Sequence, residues 1–483
     1  MNKNSFISVF TIIFILGITG FPPLYMTPVN EKNTFLGREK SLIMNTSPST
    51  SSIENWYRKW GQDVWNETNT EMDVYNMTGD VYLIGYNYSN THSEMLLVKF
   101  NSTGDQQWNR TITGGHGYHN SGMDVEVDQK TGKIYVLGCI YNGTYSYFDV
   151  FIARYNENGV QEVNATWGSN NSEYCKGFAL DKSGENLYVT GDKVFPTPLP
   201  YLNYTIFLVK FNTASLSYQW NTTWFNVGWE FADDAVCGNY GGIYLTGHTK
   251  NMSTGDNYMI VTKYNENKVN QWNKSFVEEN RDVYTDSIAL DSKDNVYVTG
   301  HIWEDGYGSI FYVRKYDNES NFQWGKTYQK YPLGGINEGR DIFIDPNDNI
   351  IVAAWCFQGL IESTYLKLLG YNPIGILILN FEWRSQDLNS NDYLETTCVS
   401  GFGTNHFYVA GIIQTKPYGD KDFIIVRNPS YALMGSGGSG GGNDDDNNGN
   451  KPSEIPSYNS FIIISLISIY SIIIIKKYRK KLR

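Results

Sequence analysis

Acidic side chains recur at the start of short apolar runs along much of this chain. They are Asp73, Asp124, Asp233, Asp286, Asp341 and Glu395, while Lys176 stands at a similar place in one other run and Arg340 directly precedes Asp341. If the runs lie side by side, the carboxylates converge and could hold a cation such as Ca²⁺ through oxygen ligands, or bind a cationic ligand. The alternative is structural, because an Asp can cap its own turn or accept a hydrogen bond from a neighbouring backbone.

Aromatic residues form a second candidate group. Polar loops that follow Gly-terminated runs contain Tyr141, Tyr145, Trp303 and Tyr307. Aromatic rings on a rigid scaffold are typical recognition groups for sugars and proteins, because each ring presents a large area in a fixed orientation. Tyr is abundant throughout the chain, so packing inside the fold is the competing interpretation.

Other catalytic chemistry finds little support in the sequence. It contains no serine-nucleophile elbow, phosphate-binding loop or H-E-x-x-H motif. His116 and His119 lie in a Gly-rich loop and could bind a metal only with a carboxylate from elsewhere. His248 and His301 each follow a strand-terminal Gly, and a repeat would explain them without a ligand. A net charge of −12 without a basic stripe argues against nucleic acid as a partner.

The five cysteines are Cys139, Cys175, Cys237, Cys356 and Cys398. They contain no C-x-x-C pair, which argues against a compact zinc site. An odd number leaves at least one thiol unpaired, and several lie in apolar strand patterns where cysteine behaves as a small buried hydrophobe. Two interpretations stay open: buried free thiols, or one disulfide with Cys139 and Cys175 as the candidate pair.

A sequence repeat explains why the candidate residues recur. Residues 286–324 contain four β-branched and aromatic runs separated by Asp, Asn and Gly turns, which is the signal for short strands. The second run of each copy ends 53 to 57 residues after the previous one, at Gly85, Gly138, Gly191, Gly247, Gly300, Ala354 and Gly411. This period, with four strands in each copy, predicts a β-propeller.

The number of blades follows from two incomplete ends. The seventh copy stops at its third strand, at 423–428, and no Trp-containing fourth strand follows it. Residues 55–62, before the first copy, form a Trp-containing strand that belongs to no blade. Joined in space, the two would close the ring and remove the exposed edges of an open array. We therefore predict an all-β fold, a seven-bladed β-propeller of four-stranded blades over residues 55–430.

The repeat resembles a known family. Its pattern, visible in DSKDNVYVTG and DKSGENLYVTG and continued by V-K-Y-N and a Trp, is similar to the repeat of the SBBP-type seven-bladed β-propellers. The resemblance implies an extracellular or cell-surface scaffold and carries over no catalytic residues. Blade six departs from the pattern at Ala354 and LLGYN, and blade four departs from it at Cys237 and Gly238.

The N-terminal segment is typical of export. Residues 1–20 have a positive start at Lys3 and an apolar run, as in a secretory signal peptide. The small-residue cleavage site is poor, so an uncleaved anchor is the alternative. Residues 21–54 are rich in Ser, Thr and Asn and are interpreted as a linker.

The C-terminal segment predicts a membrane anchor. It comprises a Gly/Ser/Asp-rich stalk at 431–457, a transmembrane helix at 458–475 and a basic cytoplasmic tail at 476–483. This order resembles the C-terminal sorting tails of archaeal and bacterial surface proteins. The sequence thus predicts a single-pass protein of the cell membrane with its propeller on the extracellular side.

These observations favour a binding function over catalysis. We expect an adhesion or recognition scaffold that binds a glycan or a surface protein, with no cofactor beyond Ca²⁺ at the acidic residues. One alternative is an exported glycan hydrolase or lyase in which the carboxylates act as acid and base. A purely structural role in the cell envelope is the other.

Potential N-glycosylation sites of the form N-x-S/T are dense. They begin at Asn66, Asn76, Asn87, Asn101, Asn109, Asn142, Asn164, Asn203, Asn221, Asn251, Asn273 and Asn318. Several lie in the fourth strand of a blade, which is the exposed outer edge. On an exported chain we expect glycans there. The native protein should then have a mass well above 55.1 kDa that an endoglycosidase lowers, whereas a native mass near that value would exclude this modification.

Overall fold

A computed structural model describes residues 56–429, apart from 62–65, 89–91, 114–118, 144–146, 197–201, 225–227, 279–280, 305, 331–334, 358–364, 384–392, 404–405 and 415–420. The chain divides into two compact units, Met1–Leu433 and Met434–Arg483, and all described residues belong to the first. The predicted signal peptide, stalk, transmembrane helix and basic tail lie outside the described residues. Within the described part of the chain, no helix has the length and apolar character needed to cross a membrane.

Seven four-stranded antiparallel sheets account for the strands that the structure describes. Their β-branched and aromatic residues are buried between neighbouring sheets, and Asp, Asn and Gly form the turns. The first strand of each sheet packs against the first strands of the sheets on either side, so the seven sheets form a ring. The predicted all-β, seven-bladed propeller is thereby confirmed.

The first three blades are listed here from the innermost strand outward. Blade 1 comprises β2 (Asn66–Tyr75), β3 (Asp80–Tyr88), β4 (Ser93–Phe100) and β5 (Gln106–Ile112). Blade 2 comprises β6 (Ser121–Val127), β7 (Ile134–Tyr141), β8 (Phe148–Tyr155) and β9 (Gln161–Trp167). Blade 3 comprises β10 (Ser172–Leu180), β11 (Asn186–Pro196), β12 (Leu202–Asn212) and β13 (Tyr218–Trp224).

The next three blades repeat this order. Blade 4 comprises β14 (Gly228–Cys237), β15 (Gly242–Asn251), β16 (Asn257–Asn265) and β17 (Asn270–Phe276). Blade 5 comprises β18 (Asp282–Leu290), β19 (Val296–Glu304), β20 (Gly308–Tyr316) and β21 (Phe322–Tyr328). Blade 6 comprises β22 (Ile336–Ile344), β23 (Ile350–Phe357), β24 (Tyr365–Tyr371) and β25 (Leu377–Trp383).

Blade 7 combines strands from both ends of the described chain. Its inner strands are β26 (Tyr393–Phe402), β27 (His406–Gln414) and β28 (Lys421–Pro429), and its outer strand is β1 (Trp56–Trp60). β1 pairs with β28 in antiparallel register from Trp56–Arg427 to Trp60–Phe423. The predicted closure by the N-terminal strand is therefore present.

The antiparallel order gives the ring two different faces. Each innermost strand starts at the face that we call the mouth face, and the loops after the second and fourth strands return there. The turns after the first and third strands lie on the opposite side, the turn face. β1 begins and β28 ends at the turn face, so the described chain enters and leaves the ring on the side opposite the mouth.

Hydrogen bonds between neighbouring blades explain why Lys and Trp recur in the repeat. Lys315 Nζ and Trp324 Nε1 of blade 5 both donate to the carbonyl of Pro373 in the blade 6 turn, each at 3.1 Å. Lys315 also lies over the ring of Tyr297, 4.8 Å from its centroid. The same pair of donors occurs at two other junctions, from Lys99 and Trp108 to Glu157 and from Lys263 and Trp272 to Asn318.

The junction between blades 7 and 1 uses arginine for the same purpose. Arg427 Nη1 donates to the carbonyl of Ser102 at 2.8 Å, and Arg58 Nη2 donates to that of Thr103 at 3.0 Å. Arg58 comes from β1 and Arg427 from β28, so both strands of the closure hold the turn of blade 1. Each arginine thus bonds one backbone carbonyl in the turn of the next blade, so the ring closes with the same kind of bond that Lys and Trp make at other junctions.

Removing β1 tests the closure. A fragment of residues 61–430 should aggregate or melt about 10 °C or more below a fragment of residues 55–430, because β28 becomes an open edge and the bond from Arg58 to the turn of blade 1 is lost. Thermal unfolding with light scattering measures the difference. The two fragments differ by only the strand itself, so equal melting temperatures would contradict its role.

Candidate functional site

Every innermost strand carries a β-bulge at the same position. The bulge residues, which we call the bulge ring, are Thr70, Met123, Lys176, Asp233, Asp286, Arg340 and Thr397. A bulge adds one residue to its strand and increases the local twist, which redirects the side chain. Because the bulges are equivalent, they give a common frame for the residues around the central axis.

Carboxyl groups just after the bulges join neighbouring blades. Asp124 Oδ1 accepts from the N–H of Val125 at 2.7 Å, and its Oδ2 accepts from the N–H of Phe178 in the next blade at 3.0 Å. Equivalent bonds run from Asp234 to Ala235 and Ile288, and from Asp341 to Ile342 and Val399. These carboxyl groups, with Glu71 at the equivalent place in blade 1, are called the waist carboxyls.

Asp73 lies two residues after Glu71 in β2, and its carboxyl group also accepts hydrogen bonds from backbone N–H groups of two blades. Its Oδ1 accepts from the N–H of Val74 at 2.7 Å, and its Oδ2 accepts from the N–H of Val127 in blade 2 at 2.8 Å. Asp73, Asp124 and Asp341 were predicted to belong to a single ring of ligand-binding residues. The structure places them at two different levels, and each one hydrogen-bonds the backbone of a neighbouring blade.

Burial shifts the ionisation of the carboxyl groups around the axis. It raises the pKa of Asp73 to about 6, that of Asp234 to about 7 and that of Glu126 to about 8. Burial and the nearby carboxylates of Asp341 and Asp124 raise the pKa of Glu71 well above its usual range. A protonated carboxyl is a poor ligand for Ca²⁺, and the described residues contain no group of three or more His, Cys, Asp or Glu that could hold a metal ion.

Nearer the mouth face, Arg340 connects three blades. Its Nη2 lies 3.0 Å from Glu338 Oε2 and 3.5 Å from Glu395 Oε1, and its Nη1 lies 3.7 Å from Asp286 Oδ1. Tyr393 donates its hydroxyl to Glu395 Oε2 at 3.2 Å. The guanidinium is thus held by carboxylates from blades 5, 6 and 7, which fixes the orientation of all four charged groups.

Two Asp–His pairs continue this arrangement. His248 Nδ1 lies 3.1 Å from Asp233 Oδ2, and His301 Nδ1 lies 3.3 Å from Asp286 Oδ2. Burial alone would lower the pKa of each imidazole, but the paired carboxylate outweighs it and raises the pKa above the usual value. Both histidines therefore keep their proton to a higher pH than a free histidine does.

Aromatic rings line the same side of the axis. Phe231 stacks on His248 and Tyr284 stacks on His301, with ring centroids 5.0 Å apart in both pairs. Tyr284 also meets His248 edge-on at 5.1 Å, so the four rings form one row across blades 4 and 5. Trp355 extends the aromatic lining into blade 6, where Arg340 lies 5.0 Å from its ring centroid.

We call this set the mouth cluster, and it consists of Phe231, Asp233, His248, Tyr284, Asp286, His301, Glu338, Arg340, Trp355, Tyr393 and Glu395. Its groups come from blades 4 to 7. The bulge residues of blades 1 and 2, Thr70 and Met123, are uncharged. The charged bulge residues Lys176, Asp233, Asp286 and Arg340 lie in blades 3 to 6, and this asymmetry distinguishes positions that the repeat alone would make equivalent.

The other predicted site residues are scattered. Tyr141 packs edge-on against His119 and Phe148, with centroids 6.5 and 6.0 Å apart. Trp303 is half-buried near the end of β19, and Tyr307 is 55% exposed in the following loop. Only Asp233, Asp286 and Glu395 among the predicted residues belong to the mouth cluster. Tyr145 and His116 lie outside the described residues.

The potential glycosylation sites differ in accessibility. Asn76, Asn164, Asn221, Asn273 and Asn318 are exposed, which fits their location in turns and outer strands. Asn87 is only 5% exposed. Glycosylation of Asn87 would therefore have to precede folding of blade 1.

Sequence reasoning missed most of the mouth cluster. His248 and His301 were explained by repetition alone, and Tyr284, Glu338 and Trp355 were not singled out. The pairing of the first two strands is the signal that could have identified these residues. The residue that follows the Gly in the second strand pairs with the residue two positions before the bulge in the first strand, as His301 pairs with Tyr284. The same relation pairs Phe231 with His248 and Glu338 with Trp355.

One family model matches part of the repeat. The family model SBBP, described as a β-propeller repeat, matches residues 277–308. A search of curated proteins finds no significant match.

Solved structures with a similar fold have different functions. They include a Dyadobacter fermentans protein of unknown function (10% identity, TM-score 0.46, covering 78% of this chain and 99% of that one). The polysaccharide lyase Uly1 has 10% identity and a TM-score of 0.49, with 77% and 91% covered. The Pan2 WD40 domain of Neurospora crassa has 9% identity and a TM-score of 0.46, with 76% and 91% covered. At these values the similarities carry no functional information.

The buried carboxyl groups predict how stability depends on pH. A carboxyl group whose pKa is higher in the folded than in the unfolded state stabilises the fold fully below about pH 4, and this contribution is lost as the pH rises through the folded value. For Asp73, Asp234 and Glu126 that loss falls between about pH 4 and 8. We expect the melting temperature to fall over this interval, as measured by calorimetry in buffers of equal ionic strength.

A single variant isolates one of these groups. Glu126→Gln keeps an acceptor for the N–H of Leu180, which bonds Glu126 Oε2 at 2.9 Å, but it cannot ionise. It should stabilise the protein at pH 8 by a few kcal/mol and flatten the pH dependence. Glu319→Gln, exposed on the turn face, is the matched control. A dependence that both variants leave unchanged would refute the assignment.

Proposed function

We propose that this chain is a cell-surface protein whose propeller binds a glycan at the mouth cluster. The observation that carries the proposal is a row of stacked rings beside a guanidinium held by three carboxylates. The C–H faces of sugars pack on aromatic rings, while their hydroxyl groups bond to carboxylates and arginine in fixed directions. The mouth cluster offers both kinds of contact within one arc.

The mouth cluster is well prepared for binding because its members are already oriented. Arg340 is held by Glu338, Glu395 and Asp286, and each histidine is held by an aspartate. A site whose side chains are fixed before the ligand arrives loses less conformational entropy on binding. Two of the waist carboxyls join blades that contribute to the mouth cluster. Asp234 hydrogen-bonds between blades 4 and 5, and Asp341 hydrogen-bonds between blades 6 and 7.

Sequence features support a location at the cell surface. The predicted signal peptide, stalk, membrane helix and basic tail form the order expected of an anchored extracellular protein. β1 begins and β28 ends at the turn face. The last described residue, Pro429, therefore lies on the side opposite the mouth.

An exported enzyme that acts on glycans is the second candidate. The Asp233–His248 and Asp286–His301 pairs favour it, because a carboxylate that orients an imidazole is a common arrangement for general acid–base catalysis. Binding and catalysis use the same mouth cluster in these two proposals. They differ in whether the bound glycan is cleaved.

Binding is tested with a glycan array followed by calorimetry on the best ligand. Arg340→Met keeps the aliphatic stem but removes the charge, and it should weaken binding at least 10-fold, about 1.4 kcal/mol or more. Tyr393→Phe, which removes only one hydroxyl, should weaken binding less and guards against a folding defect in the arginine variant. Lys182→Met, exposed on the turn face, is the matched control and should bind normally.

The same samples decide between the proposals. Binding that none of the mouth variants weakens would place the site elsewhere. Absence of any glycan ligand, with capture of a surface protein, would replace the glycan by a protein partner. Release of cleavage products that Asp286→Asn and His301→Gln abolish would establish an enzyme.

A further inference from the structure

Two cysteines meet at the junction between blades 2 and 3. Cys139 lies in β7, the second strand of blade 2, and Cys175 lies in β10, the first strand of blade 3. Their side chains are 5% and 1% exposed. They pack within one apolar cluster that also contains Leu137, Phe178 and Val189.

Backbone contacts hold the sulfur atom of Cys139 at this junction. The N–H of Cys175 donates to Cys139 Sγ at 3.1 Å, and Cys139 Sγ lies 3.6 Å from the Cys175 carbonyl oxygen. The two Sγ atoms are 2.7 Å apart. The two sulfur atoms therefore face each other across the blade junction, within about 1 Å of the S–S bond length of about 2.0 Å.

We propose that Cys139 and Cys175 form a disulfide that staples blade 2 to blade 3 when the chain folds in an oxidising environment. The two thiols lose their protons and two electrons, the S–S bond forms, and a disulfide oxidant is reduced to two thiols. This inference is independent of the ligand at the mouth. In the structure itself, Cys139 and Cys175 are both present as thiols.

The remaining cysteines are distributed differently. Cys237, Cys356 and Cys398 lie in blades 4, 6 and 7, and Cys237 Sγ faces the carbonyl oxygen of Ala179 at 3.9 Å. The odd count in the sequence is thus consistent with one disulfide and three thiols.

The bond should form during folding rather than afterwards. Disulfide exchange requires a thiolate at an accessible sulfur. Both sulfurs are buried, and burial raises the pKa of the Cys175 thiol well above its usual value. Protein that is already folded and reduced should therefore oxidise slowly, while refolding in a glutathione redox buffer should give the disulfide.

The test counts thiols in the full-length protein after refolding with oxidised and reduced glutathione, or with dithiothreitol. Denatured samples should titrate three thiols after the oxidising treatment and five after the reducing one. Peptide mass spectrometry should show the Cys139 and Cys175 peptides linked, with the loss of two hydrogen atoms. The oxidised protein should also melt a few degrees higher, because the bond closes a loop in the unfolded chain.

Variants separate this pair from the other thiols. Cys356→Ala, at a buried position in another blade, should titrate two and four thiols. Cys139→Ala should titrate four after both treatments once mixed disulfides with glutathione are excluded by mass. Five thiols after oxidative refolding, or a linkage between a different pair, would overturn the proposal. If Cys139→Ala fails to fold, the wild-type count and peptide map still decide.

Discussion

The pairing of β1 (Trp56–Trp60) with β28 (Lys421–Pro429) is the constraint on which the rest of the ring depends. Without it, blade 7 would end in an unpaired edge, and the turn of blade 1 would lose the donor Arg58. The pairing adds a backbone ladder to the packing of β2 against β26 and so helps to fix the angle between blades 7 and 1. The mouth cluster needs the angles between blades 5, 6 and 7, because Arg340 reaches carboxylates on two adjacent blades.

Two levels of inter-blade bonds maintain the ring once it is closed. Near the axis, carboxyl groups such as Asp124 bond both to their own strand and to the next. At the outer edge, Lys and Trp hold the turn of the next blade. The inner bonds place carboxyl groups where ionisation costs free energy. The fold should therefore be more stable at mildly acidic pH than at higher pH. The outer bonds join backbone carbonyls to the side-chain N–H donors of Lys and Trp.

Much of the fold could be predicted because its signals are local and repeated. The period, the Asp and Gly turns and the unmatched strands at 55–62 and 423–428 together indicated seven blades and their closure. The roles of the repeated residues could not be predicted as directly from the sequence. Lys315 and Trp324 appear in the repeat as strand residues, and only the structure shows that they bond the next blade.

The candidate site was harder to predict because it depends on register. A bulge in every innermost strand shifts the alignment by one residue, so Asp124 and Asp233, which look equivalent in sequence, lie at different levels. Asp124 joins blades, whereas Asp233 pairs with His248 at the mouth. The two histidines were attributed to the repeat because their partners lie on a different strand. Pairing across strands, which a single sequence does not display, decides which repeated residues meet.

Hydrogen–deuterium exchange of the backbone amides in 56–60 and 423–427 tests the closure most directly, since it reports the β1–β28 ladder in the intact protein. The account predicts exchange as slow as that of β20 and β21, which occupy the same positions in blade 5. Exchange at the rate of an unpaired edge strand, while the other blades remain protected, would contradict it.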